Sequence, residues 1–241
     1  MTRKFFFSSN RTLFMAGLLA ITALFTACKK NESDVIQQPV AGLMAFNLVP
    51  DLPAVAITLS GNLIPGGELP YTSYSGRYLN VYPGNRIIGT YNAQTSARLD
   101  SLGYDFDQNK YYSLFVVGAN DNYKNVVVVD NYDSLTASSG KSYVRYINAI
   151  PEEATARVTI NSAGSNLADD DVEFMYVSDF IAVDPGDLSV SIDNEKNVNK
   201  NRTINVAQSK AYTILLTGIP NAADTNQAVQ IRYIENGTVT D

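Results

Sequence analysis

Leu43-Met-Ala-Phe-Asn47-Leu-Val-Pro50-Asp51 reappears, diverged, as Val144-Arg-Tyr-Ile-Asn148-Ala-Ile-Pro151-Glu152. Asn47 and Asn148 lie 101 residues apart. Two further blocks keep the same order and almost the same spacing. Tyr78-Leu-Asn-Val81-Tyr-Pro83-Gly84 matches Phe180-Ile-Ala-Val183-Asp-Pro185-Gly186 at an offset of 102. Tyr112-Ser-Leu-Phe-Val-Val-Gly118 matches Tyr212-Thr-Ile-Leu-Leu-Thr-Gly218 at an offset of 100. Repetition at a fixed period means one structural unit used twice. The expected division is a first domain over 41–138 and a second, diverged copy over 139–241, each of about 100 residues, a common domain size.

Each block has a local physical reading. Asn-x-x-Pro-Asp/Glu ends an apolar strand, because proline lacks the ladder donor and short polar side chains favour a turn. Val-x-Pro-Gly joins two strands, with proline presetting φ and glycine accepting a positive φ, as in a type II turn. Before that turn Leu79 and Val81 alternate with Tyr78, Asn80 and Tyr82, and Ile181 and Val183 alternate with Phe180, Ala182 and Asp184. Period-two alternation predicts half-buried strands. The Tyr-x-x-x-x-x-Gly blocks and Val126–Val129 are continuous apolar or β-branched runs, suited to central strands of a sandwich. No helical stripe stands out beyond the apolar N-terminus. Short strands with frequent turns predict an all-β fold of two tandem Ig-like β-sandwich domains. The chain has one Cys and no Trp, so the inter-sheet disulfide and core Trp of antibody domains are missing and the likeness is architectural.

The opening Phe46-Asn47-Leu48-Val49-Pro50-Asp51-Leu52-Pro53-Ala54-Val55, followed by the Pro-Gly turn and the Tyr112 strand, resembles the DUF4397 family over roughly residues 41–135. The second copy has Glu152-Glu153-Ala154 where the family pattern has Asp-x-Pro. The resemblance implies an exported or lipid-anchored β-sandwich of unknown molecular function. It carries over no active site.

Residues 1–27 read as an export signal. Arg3, Lys4 and Arg11 are followed by Leu13–Ala27, fifteen residues without a charge. That run is short of the ~20 residues a membrane-spanning helix needs and fits the apolar region of a signal peptide. Phe25-Thr26-Ala27-Cys28 then resembles a bacterial lipobox. In such lipoproteins the cysteine takes a thioether-linked diacylglycerol, and its amino group a further fatty acid such as palmitate. The resemblance gives that role to Cys28 and accounts for the lone cysteine; a plain signal peptide with a coincidental cysteine is the alternative. Residues 28–40 would form a lipid-anchored tether, reaching ~40 Å at full extension. Lys29 is not the Asp that resembles an inner-membrane retention signal, so the outer membrane is expected. Lys29-Lys-Asn-Glu-Ser-Asp34 resembles the charged tethers of Bacteroidetes lipoproteins, some of which reach the cell surface. Periplasmic and surface orientations both stay open.

Charge and composition narrow the function. Processing after Ala27 leaves 15 of the 18 basic residues against 24 acidic ones, a net charge of −9. Nucleic-acid binding needs clustered Lys/Arg and is not expected. The chain has no His, which excludes His-based nucleophilic triads and imidazole metal sites. No cofactor is called for. Asp105-Phe-Asp107-Gln-Asn109 opens like a calcium loop, but Lys110 stands where Gly is needed and Val116 where a bidentate Glu is needed. Asp169-Asp170-Asp171 with Glu173 is a denser carboxylate group; it reads as a solvated loop, since adjacent strand residues point to opposite faces. No metal site is expected. No carboxylate pair is singled out for glycoside hydrolysis.

Tyr71, Tyr74, Tyr78 and Tyr82, with Arg77 and Asn80, form the densest aromatic group. As a ligand site, Tyr74, Tyr78 and Tyr82 would stack on sugar rings while Arg77 and Asn80 hydrogen-bond. As structure, the same rings would cover a sheet edge and an interdomain seam. The expected protein is a non-enzymatic, lipid-anchored envelope protein, a binding or structural module whose partners are the membrane and a polysaccharide or envelope protein. A surface glycan-binding lipoprotein and a fimbrial or adhesin subunit are the alternatives.

Overall fold

The computed structural model describes Thr2, residues 39–152 and residues 154–240, and the compact unit begins at Pro39. The export signal, Cys28 and the tether up to residue 38 lie outside the described residues. Among the described residues no helix is long and apolar enough to cross a membrane.

The first half contains β1 (Ala41–Asn47), β2 (Ala54–Leu59), β3 (Asn62–Leu63), β4 (Leu69–Pro70), β5 (Leu79–Val81), β6 (Gly84–Asn92), β7 (Arg98–Phe106), β8 (Tyr111–Ala119) and β9 (Asn122–Asp130). Two 3-10 turns, Tyr132–Ser134 and Ala137–Ser139, lead into the second half. There follow β10 (Ser142–Ala149), β11 (Ala156–Ser162), β12 (Ser165–Val172), β13 (Ile181–Val183), β14 (Gly186–Asp193), β15 (Asn199–Val206), β16 (Lys210–Thr217) and β17 (Gln230–Thr238).

The repeat seen in the sequence is a repeat of topology. The first half pairs a β5-β1-β8-β9 sheet with a β3-β2-β6-β7 sheet, to which β4 adds through β2. The second half pairs β13-β10-β16-β17 with β12-β11-β14-β15. In both, the first strand runs parallel to its central neighbour, β1 to β8 and β10 to β16, while the other ladders are antiparallel. The fold is all-β and sandwich-like throughout.

Alternate residues of the central strands serve two cores. Leu43, Ala45, Tyr112, Leu114 and Val116 face Val55, Ile57 and Ile88 inside the first sandwich. Val144, Tyr146, Tyr212, Ile214 and Leu216 do the same in the second. The opposite faces meet each other: Met44, Phe46, Leu48, Phe115 and Val117 pack with Ile147, Ala149 and Leu215 in one apolar seam. The two sandwiches are therefore stacked through β5-β1-β8-β9 and β13-β10-β16-β17, whose central strands β1, β8, β10 and β16 are buried on both faces. This is why β1, β8, β10 and β16 lack polar-apolar alternation and are buried almost residue after residue. Val126–Val129 is different from the expectation. It lies in β9, an edge strand; Val127 packs on the first core while Val126 and Val128 cover the seam, which requires apolar residues on both sides.

The shared motifs turn out to be cross-links. Asn47 donates through Nδ2 to the Leu69 carbonyl at 2.9 Å and accepts the Val49 N–H at 3.0 Å. Asn148 donates to the Glu173 carbonyl at 3.1 Å and accepts the Ile150 N–H at 3.2 Å. Each buried amide thus ties the end of a central strand to the segment leaving the opposite sheet, satisfying backbone groups that would otherwise be buried unpaired. The Tyr112 hydroxyl accepts the Asp107 N–H at 2.9 Å, and the Tyr212 hydroxyl accepts the Ala207 N–H at 3.1 Å. Five residues separate the partners in each case, the geometry of a tyrosine corner. Gly118 and Gly218 close the same blocks at φ 109° and 117°. A Cβ on them would stand 2.0 Å from the Asn122 carbonyl oxygen and 2.4 Å from that of Ala228, so no larger residue fits.

Candidate functional site

The tyrosines grouped in the sequence separate in space. Tyr74 stacks on Phe46 with centroids 5.7 Å apart, and Phe46 stacks on Phe115 at 4.7 Å, so the Tyr74 ring belongs to the seam. The Tyr71 hydroxyl lies 3.4 Å from that of Thr217 and accepts Nε2 of Gln230 at 3.2 Å, bridging the two halves; burial pushes its pKa up. Along β5, Leu79 and Val81 point into the core while Asn80 points outward. Tyr82 is 56% exposed, and Arg77 is exposed as well. The Arg86 guanidinium donates to the carbonyls of Tyr82 and Pro83 at 3.0 and 2.9 Å, holding the Pro-Gly turn. Asn80 and Tyr82 line one cleft of about 300 Å³, and Tyr78 and Asn80 another of about 430 Å³.

Tyr78 is the centre of a denser aromatic group that the sequence did not reveal. Its ring meets Tyr111 edge-on at 4.9 Å and Tyr132 at 5.9 Å, and Tyr111 meets Tyr132 at 5.8 Å. Edge-to-face contacts at these distances are the favoured aromatic geometry. Tyr78, Tyr111 and Tyr132 line a cavity of about 620 Å³ together with Asp133, Thr136 and the end of β17. Tyr78 and Tyr111 also line the 430 Å³ cleft, together with Gly42, Asn80, Asn109 and Lys110. Gly42 makes this arrangement possible: a Cβ there would stand 2.5 Å from Cδ1 of Tyr111 and 3.4 Å from Cβ of Tyr78. A glycine inside a strand signals close approach of another group, the one local sign at Gly42 of a ring packed there.

Behind Tyr78 lies a polar network buried between the sandwiches, whose Arg145 also lines a cleft of about 670 Å³ beside Phe180. Arg145 and Asp130, 2% and 3% exposed, form an ion pair through Nη1 and Oδ1. Nη2 of Arg145 donates to the Ser113 hydroxyl at 2.6 Å, and Nε donates to that of Thr213 at 3.0 Å. Ser113 in turn donates to Asp130 at 2.8 Å, and Tyr78 donates to the same carboxylate oxygen. The guanidinium lies 4.7 Å from the Phe180 ring centroid and 5.7 Å from that of Phe115, a cation–π arrangement on two rings. Burial and the Asp130 charge push the Tyr78 pKa up, and burial first of all pushes that of Tyr132 up to about 12. Both phenols are therefore neutral, and Tyr78 acts as a donor. Burying a charge pair is costly unless its remaining hydrogen-bonding capacity is used; here it is used on both sides of the seam.

The acidic stretches are engaged elsewhere. Asp169–Asp171 lie on β12, not in the expected loop. Asp169 takes a two-pronged contact from Arg157, Nε at 2.5 Å and Nη2 at 2.7 Å, which holds its carboxyl below the usual range. Asp170 accepts the Tyr146 hydroxyl at 2.5 Å. Asp105 pairs with Asn85 in the β6–β7 ladder, Phe106 is buried, and Asn109 turns the chain into β8 at φ 62°. Among the described residues no three carboxylates converge on a metal position.

Comparison with known proteins places the chain in a family. The sequence pattern of the Domain of unknown function (DUF4397) matches residues 41–159 and 142–238, so the second copy is matched as well as the first. No curated protein matches the chain. Similar solved structures include CBMbc, of family CBM26, from Eubacterium rectale Amy13K in complex with maltoheptaose, at 10% identity and a TM-score of 0.24, covering 80% of this chain and 96% of that one. Another is the tip fimbrial protein Mfa3 from Porphyromonas gingivalis, at 8% identity and a TM-score of 0.27, covering 82% and 99%. Superpositions this loose bear on neither fold nor function. Two matched segments, repeated topology and repeated cross-links agree: the chain belongs to the DUF4397 family.

Proposed function

We propose that this protein is a non-enzymatic envelope protein, lipid-anchored at Cys28 to the outer membrane, whose domains over 41–138 and 139–241 work together as one rigid binding or structural module. The supporting observation is the seam. The Asp130–Arg145 network and the apolar contacts around it join the two sandwiches, which suits a body that must hold a fixed shape at the end of a tether. The ionisable groups buried there are matched to one another rather than poised for proton transfer. Replacing Cys28 by Ala is expected to abolish fatty-acid labelling and membrane fractionation. Retention of the Cys28→Ala protein in the membrane would remove the anchor from this reading. Protease shaving of intact cells then separates a surface orientation from a periplasmic one.

A second reading, a surface glycan-binding lipoprotein, is favoured by one observation. Tyr82, Asn80 and Arg77 are exposed, and Asn80 lines both the cleft that holds Tyr82 and the one walled by Tyr78 and Tyr111, an arrangement of flat apolar faces next to hydrogen-bonding tips. Retardation of the protein in polysaccharide-containing gels would support it.

A further inference from the structure

We propose that Tyr111 is the stacking platform of a groove for a neutral oligosaccharide, built where the 430 Å³ and 620 Å³ clefts share its ring as a common wall. The proposal rests on the glycan reading and names the site and the ligand charge.

Three observations carry it. Tyr111 is 45% exposed, whereas its two partners Tyr78 and Tyr132 are only partly exposed. Its ring is fixed before any ligand arrives, edge-on against two tyrosines and laid across Gly42, so little rotamer freedom is lost on binding. A rigid, exposed ring between two clefts offers one flat apolar surface with room for a sugar residue on either side.

The polar groups around it suit hydroxyls rather than ions. Asn80 and Asn109 line the smaller cleft, and their side-chain amides engage no partner among the described residues. Thr136 lines the larger one. The charged residues that line the two clefts, Lys110 and Asp133, stand 3.5 Å apart and offset each other. A pyranose presents an apolar C–H face to the ring while its hydroxyls exchange hydrogen bonds with amides. An anionic or cationic polymer would meet no uncompensated counter-charge here.

The test is affinity electrophoresis of the mature protein through gels containing soluble starch, dextran, galactomannan or arabinoxylan. The wild type should be retarded in at least one gel. Tyr111→Ala should weaken that binding about tenfold or more, with Tyr111→Leu repeating the test should the alanine variant unfold. Tyr111→Phe, which keeps the ring, should bind as the wild type does. Tyr176→Ala, a similarly exposed ring in the second half, should change nothing. Absence of retardation in all four gels overturns both the groove and the glycan reading. Binding that survives Tyr111→Ala and Tyr111→Leu but is lost in Tyr82→Ala overturns the groove while leaving the glycan reading standing.

Discussion

Met44 and Arg145 occupy equivalent positions on β1 and β10, and both are buried in the seam, yet they do different work. Met44 fills space and has the Asn236 amide 3.8 Å from its sulfur. Arg145 crosses into the first sandwich to Asp130 and Ser113. Elsewhere the halves agree: Asn47 with Asn148, Tyr112 with Tyr212 and Gly118 with Gly218 make the same contacts. The three pairs that agree each act within one sandwich, whereas Arg145 acts between the two. The two halves share these strand-end and tyrosine-corner contacts and differ at the position that joins one sandwich to the other. They are not interchangeable beads.

The comparison is broken most severely by making the second half like the first. Arg145→Met would leave Asp130 buried without its cation, a loss of about 3–5 kcal/mol. Met44→Leu, at the matching position, conserves volume and should cost less than about 1.5 kcal/mol. Denaturant unfolding measures both. Equal costs would mean that the ion pair does not hold the seam.

Gly118→Ala and Gly218→Ala probe the agreement instead. Both force a Cβ into a carbonyl oxygen at positive φ, and each should cost roughly 1–3 kcal/mol or more. If only one substitution destabilises, the two halves are less alike than their hydrogen bonds imply.

The smallest effect is alkaline. Tyr123, pushed up to about 12 by burial and its hydrogen bond to Asp51, and Tyr132, at about 12, keep their protons in the fold. Unfolded tyrosine loses its proton near pH 10. Above that pH the native state binds more protons than the unfolded one, so stability falls with rising pH. The contribution is complete below about pH 10 and is lost up to about pH 12. Tyr123→Phe should flatten that decline in pH-dependent melting; an unchanged slope would contradict the assignment. The second half carries its raised phenol elsewhere, on Tyr146, which donates to Asp170. Where Asp51 accepts the Asn120 N–H and the Tyr123 hydroxyl, Glu152 takes Asn197.

What the sequence disclosed follows the same line. Strand alternation and the Pro-Gly turns act within a few residues, and Gly84 and Gly186 do take positive φ. The three repeated blocks predicted the repeated sandwich for the same reason. Asn47 and Tyr112 were legible as strand ends and strand starts, but their cross-linking bonds depend on a second sheet that spacing alone does not place. The candidate site was harder still. Tyr78 and Asn80 were picked out by aromatic density, whereas Tyr111 and Tyr132 are joined to them through β1 and through the turn after β9. Asp130 and Arg145 meet only because two sandwiches stack, and nothing local marks either residue.

Calorimetric unfolding of the wild type and of Arg145→Met shows whether the Asp130–Arg145 seam makes the two sandwiches one body. One cooperative transition is expected for both sandwiches in the wild type, shifted down as a whole by Arg145→Met. Two separate transitions, with the first sandwich melting unchanged in the variant, would contradict it.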